Sequence, residues 1–131
     1  MTARDIQTRT DLETVLTAFY KQVFADVVIG PFFTEVVPIK LETHLPVITD
    51  FWEAVVLGTH SYRKNVMELH RHIHEKAALE KKHFDRWLQL FTQTIDAHFE
   101  GANATLMKQR AASIATLMQL KFNVQQLKIN K

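Results

Sequence analysis

His70, His72 and His74 place three imidazoles in one short stretch of a chain with seven histidines and no cysteine. Imidazole is the common protein ligand of transition metals and of haem iron, so a thiolate-free chain that concentrates it points to metal or haem chemistry. If the stretch is helical, residues 70 and 74 share a face while 72 points roughly the opposite way. The run therefore does not offer three ligands to one ion, which argues against a closed three-histidine zinc site. Two chemistries remain: one axial imidazole beneath a haem, or His70 and His74 joined by His83 around Zn²⁺.

The elements that must position these residues read as helices almost throughout. Only three Gly and three Pro interrupt 131 residues, and no period-2 stretch supports a strand. Asp11 is a good helix N-cap, and Leu12, Val15, Leu16, Phe19, Tyr20 and Val23 recur at three- and four-residue spacing to about residue 26. Ile29-Gly30-Pro31 ends that pattern, and Phe32 and Phe33 follow in a short turn. A second helix is expected from near Leu41 through Val47, Ile48, Phe51, Trp52, Val55 and Val56 to a stop at Gly58, with Pro46 kinking it or marking its start. Asn65 to about Lys76 carries the histidine run. Phe84, Trp87, Leu88, Phe91, Ile95 and Phe99 define a long helix ended by Gly101, and Ala104 to Leu127 forms the last, with Leu106, Ile114, Leu117, Met118 and Leu120 as its apolar face.

Length fits a single domain, 1–131, large enough for a core and a pocket. The formal charge of +2 and the scattered Lys and Arg give no reason to expect nucleic acid or an anionic membrane as partner. No run of about 18 apolar residues is present and Met1 to Thr10 is polar, so a soluble, cytoplasmic protein is expected. The absence of cysteine agrees with a reducing compartment.

Several motifs in order carry a resemblance: Phe19-Tyr20-Lys21-Gln22-Val23, Gly30-Pro31-Phe32-Phe33, His44, Phe51-Trp52, Leu57-Gly58, Asn65 to His70, and His83-Phe84-Asp85-Arg86-Trp87-Leu88-Gln89-Leu90-Phe91. Across residues 11 to 120 the chain resembles the bacterial truncated haemoglobins, and among them group III. The resemblance implies an all-α truncated globin, a two-over-two helical sandwich around protohaem (haem b), bound through one proximal histidine. It implies distal roles for Tyr20, His44, Ile48 and Trp87, and contact of Phe32 and Phe33 with the porphyrin face. His70 is matched to the proximal iron ligand. The chain departs from the pattern in two places: Val66 stands where group III proteins usually have Pro, and a few extra residues separate His70 from His83. Counted backwards from His83, His74 takes the proximal spacing instead, so His74 is the alternative ligand. Counted forwards from Trp52, the spacing falls on His70.

Chemistry supports these assignments. Dioxygen on ferrous iron gains negative charge at its far atom, and Tyr O–H and Trp N–H are donors suited to it. Several such donors would slow oxygen release, a poor property for transport. The expected function is therefore binding of dioxygen or other diatomic ligands (NO, CO) or peroxide, with redox or reactive-oxygen and reactive-nitrogen chemistry, supplied with electrons by a reductase that the sequence does not name. Simple oxygen binding or sensing, and a non-haem His-rich metal protein, are the alternatives; whether the protein is an enzyme stays open. His60 and His98 read as surface residues. His83 reads either as facing a propionate or as a helix cap, and Arg63 and Arg71 are candidates for pairing with propionates.

Overall fold

The computed structural model describes residues 3–36, 40–59 and 79–129, with side chains as far as Leu120 and not at Val36. Four α-helices lie in these residues: α1 (Arg9–Ala25), α2 (Leu41–Leu57), α3 (Lys81–His98) and α4 (Ala102–Ile129). Between α1 and α2, Phe32–Val36 forms a single wide turn with π-type bonding. No strand occurs among the described residues. α1 packs on α2 and α3 on α4, and the two pairs meet through α1 against α3 and α2 against α4. That is the expected two-over-two arrangement. The expected helix over 65–76, with His70 and His74, and the proposed roles of His60, Arg63 and Arg71 lie outside the described residues.

Helix α1 starts three residues earlier than a cap at Asp11 would allow. Thr8 is the N-cap: its hydroxyl accepts the Asp11 N–H at 3.2 Å, while the Asp11 carboxylate accepts the N–H groups of Thr8 at 3.1 Å and Gln7 at 2.9 Å. Asp11 serves at the third helical position, completing a reciprocal cap of the Thr-x-x-acid type. Its face is the expected one, with Leu12, Val15, Leu16, Phe19, Tyr20 and Val23 all buried. Gly30 then crosses so close to α1 that a Cβ would stand 2.9 Å from the Val23 carbonyl oxygen.

Helix α2 runs through Pro46 rather than starting there. The missing proline N–H costs one backbone bond near the helix start. Gly58, at φ +76°, ends α2 in the left-handed conformation that glycine adopts at low cost, as the sequence predicts.

The apolar face of α4 differs from expectation. Ala104, Met107, Ala111, Ala115 and Met118 are buried, whereas Leu117 and Leu120 are 55% and 61% exposed. The spacing is helical, but the buried stripe is mostly alanine, because small side chains allow close approach of neighbouring helices. A search for large apolar residues passes over such a stripe.

An N-terminal strap ties the start of α1 to the start of α4. The Asp5 carboxylate accepts the N–H groups of Ile6, Asn103 and Ala104, and the Asn103 amide donates to the Ile6 carbonyl at 2.7 Å. Arg4 pairs with Asp11 through two hydrogen bonds. Gly101, at φ +146°, lies against the Asp5 side chain where any Cβ would collide.

Candidate functional site

An aromatic layer between the helix pairs supports the site. Phe19 of α1 touches Tyr20, Trp87 and Phe91 edge-on, with ring centroids 5.2, 5.8 and 4.9 Å apart. Trp87 stacks on Phe91 at 5.2 Å, and Phe91 reaches Trp52 of α2 at 5.2 Å. Edge-to-face and offset contacts at such distances add to the apolar burial of each ring. They lock Trp87 and Phe91, one turn apart on α3, against α1.

Tyr20 stands at the edge of this layer. Its side chain is 4% exposed, and its hydroxyl lies 2.8 Å from Nε2 of His44, with the two rings perpendicular. Burial pushes the phenol above its ordinary value, so the proton stays on oxygen and Tyr20 remains a donor. His44, half-buried on the first turns of α2, brings the imidazole across to α1. Ile48, one turn further on, is buried and lines the same pocket as Tyr20, Trp87, Phe19, Phe51, Trp52, Phe91, Leu16 and Ile114. The structure therefore brings Tyr20, His44, Ile48 and Trp87 together from three helices. Pairing of Tyr20 with His44 was not visible in the sequence, since 24 residues separate them.

Phe32 and Phe33 line a second pocket with Ile29, Leu79, His83, Phe84, Met118 and again Trp87, which is common to both. Phe33 is buried, and Phe32 meets the His83 ring edge-on at 4.7 Å. The turn bearing them is held by Asp26, whose carboxylate accepts the N–H groups of Val28 and Ile29 and pairs with Arg86 of α3. The Arg86 guanidinium and these N–H donors hold the Asp26 carboxyl below the usual range.

Of the two readings for His83, the structure places it as a cap. Its Nδ1 accepts the Glu80 N–H at 2.9 Å, closing the start of α3. An Nδ1 that accepts must be unprotonated, so the ring proton of the neutral form sits on Nε2. Burial, and then Lys82, lower its tendency to take a second proton. His98 is exposed at the end of α3, as expected, with Nδ1 2.9 Å from the Thr94 carbonyl.

Beyond the inner pocket, an open cleft of about 440 Å³ lies between α2 and α4, lined by Phe51, Val55, Arg110, Ser113, Ile114 and Leu117. It shares Phe51 and Ile114 with the pocket under Tyr20. The two thus share a wall, with Tyr20 lining the inner one and Arg110 and Ser113 the outer. The sequence did not mark Phe51, Phe91 and Ile114 as lining residues; Phe51 lies three after Ile48 and Phe91 four after Trp87, whereas Ile114 sits on α4, which carries no assigned site residue. Among the described residues, no three His, Asp or Glu side chains converge as metal donors.

The four-helix, two-over-two arrangement is that of a truncated globin. The chain is similar to the group III truncated hemoglobin crystal structure from Campylobacter jejuni, with a TM-score of 0.77 over 93% of this chain and 95% of that one at 22% identity. In sequence it is 27% identical over 108 residues to the group 3 truncated hemoglobin ctb of the same organism, covering 80% of this chain and 83% of that protein. The resemblance carried by the sequence motifs and that found by both comparisons are one and the same. No protein-family model matches the chain. No described helix is long and apolar enough to cross a membrane.

Proposed function

We propose that this protein is a haem-binding truncated globin of group III type, binding dioxygen and other diatomic ligands at one iron for redox rather than transport chemistry. The observation that carries the reading is a buried phenol, Tyr20, paired with His44 and lining an apolar pocket with Trp87 and Ile48. A polar pair in such a place fits a reactive, partly charged ligand held over an apolar macrocycle. The donor set and the cleft fit the distal half of a protohaem site, with Phe32 and Phe33 as wall residues. His70, with His74 as alternative, supplies the proximal imidazole. Bound haem would supply the ligand-binding and electron-accepting iron.

The chain's own part is then to sheath and to donate. Phe19, Phe91 and Trp52 exclude water behind the ligand. Tyr20 and Trp87 offer hydrogen bonds to the charge that develops on bound dioxygen, slowing its release. Slow release favours reaction in place over delivery. The same reading implies a cytoplasmic setting and a cellular reductase as electron donor.

Titration of the purified protein with haemin tests this reading. A Soret band that survives gel filtration is expected; a protein that stays colourless ends it. His70→Ala should lose haem or bind it weakly, and His74→Ala should keep the parent spectrum. The reverse result would move the iron to His74.

A further inference from the structure

Tyr20 and His44 have the geometry of a proton-coupled redox pair. Oxidising a phenol by one electron makes its proton strongly acidic, so a buried tyrosine gives up an electron readily only where a base can take that proton. Here the base is in place: the Tyr20 hydroxyl is 2.8 Å from Nε2 of His44, and the phenol is shut off from solvent. A buried phenol without such a partner would have to form a cationic radical in an apolar site, at high cost. Phe19 against Tyr20 on one side and Phe24 at 6.0 Å on another enclose the ring, which slows attack on a radical once formed.

We infer that Tyr20 acts as a one-electron donor to the haem site when a peroxide is the oxidant, its phenolic proton passing to Nε2 of His44 in the same step. The inference rests on the haem-binding reading proposed above. Reduction of hydrogen peroxide to two waters consumes two electrons and two protons. Bound haem would supply one of these electrons and Tyr20 the other, with both protons drawn from solvent. Tyr20 is left as a neutral tyrosyl radical and His44 as imidazolium. A small phenolic or ascorbate-type reductant would then return one electron to Tyr20 while His44 returns the proton, and a second equivalent of that reductant would restore the electron drawn from the haem centre. The activity assigned is thus a peroxidase-like one, with Tyr20 as a reacting residue and His44 as its base.

The test uses haem-loaded ferric protein mixed with one equivalent of hydrogen peroxide and freeze-quenched for electron paramagnetic resonance. A tyrosyl signal that narrows when the protein is made with ring-deuterated tyrosine is expected. It should vanish in Tyr20→Phe, whereas a signal from the chain's other tyrosine, Tyr62, would survive that change. His44→Gln keeps a hydrogen-bond acceptor but not a base, so the signal should fall to a minor fraction while the Soret band persists. A signal unchanged in Tyr20→Phe, or undiminished in a Soret-bearing His44→Gln, would overturn the inference. Failure to take up haem would instead bring down the haem-binding reading, and this one with it.

Discussion

Two polar clusters in this molecule are built in opposite ways. In the N-terminal strap, Asp5 accepts three backbone N–H groups and Asp11 two, with Arg4 alongside. Both carboxyls are held below their ordinary range, Asp11 chiefly by Arg4 and Asp5 by backbone donors that outweigh its burial. At the site, Tyr20 has one hydrogen-bond partner among the described residues, and burial drives its phenol up. A saturated cluster holds elements together, whereas a polar group with capacity to spare in an apolar pocket is available to a ligand.

The largest effect that would sharpen this contrast is at Tyr20. Tyr20→Phe should speed oxygen dissociation from the ferrous haem protein by roughly ten to a hundredfold, from the loss of about 1–3 kcal/mol of charge-assisted hydrogen bonding. Stopped-flow displacement by carbon monoxide measures it. Trp87→Phe should act in the same direction, and the double variant should fall short of the product of the two if both donors share one acceptor atom. Off-rates unchanged in both single variants would make these residues plain core and erase the contrast.

Asp11→Ala should do the reverse. Loss of the reciprocal cap at Thr8 is expected to lower unfolding stability by about 1–2 kcal/mol, read from urea denaturation, with the oxygen off-rate unchanged. A strap variant that altered the off-rate would show the two clusters to be coupled.

Smaller, but diagnostic, are the two ends of the pH scale. Asp5, Asp11 and Asp26 carry folded-state values below the ordinary 3.8, so they bind fewer protons folded than unfolded; their contribution is complete above that value and is lost as pH falls through the folded values. The urea midpoint should therefore drop on acidification, and less so in Asp11→Asn. Tyr20 runs the other way: its value is raised from 10.0, so its contribution is present below that pH and is lost as pH climbs past it. Tyr20→Phe should blunt the alkaline loss and leave the acid limb alone.

Periodicity alone specified the helices: the α1 face from Leu12 to Val23, the stop at Gly58 and the α3 series around Trp87 follow from side-chain spacing and glycine conformation, which are local properties. Motif order supplied the truncated-globin fold and the choice of Tyr20, His44, Ile48 and Trp87. Local chemistry was misread where two solutions compete, as at Asp11, which could cap but instead completes the cap of Thr8, and along α4, where alanines rather than leucines face inward. The hydrogen bond between Tyr20 and His44 and the common place of Trp87 in both pockets were decided by tertiary structure, whereas His83 caps α3 through a local contact with Glu80, three residues before it. The first two depend on the approach of different helices, and sequence spacing fixes directions along one helix but not the approach of another.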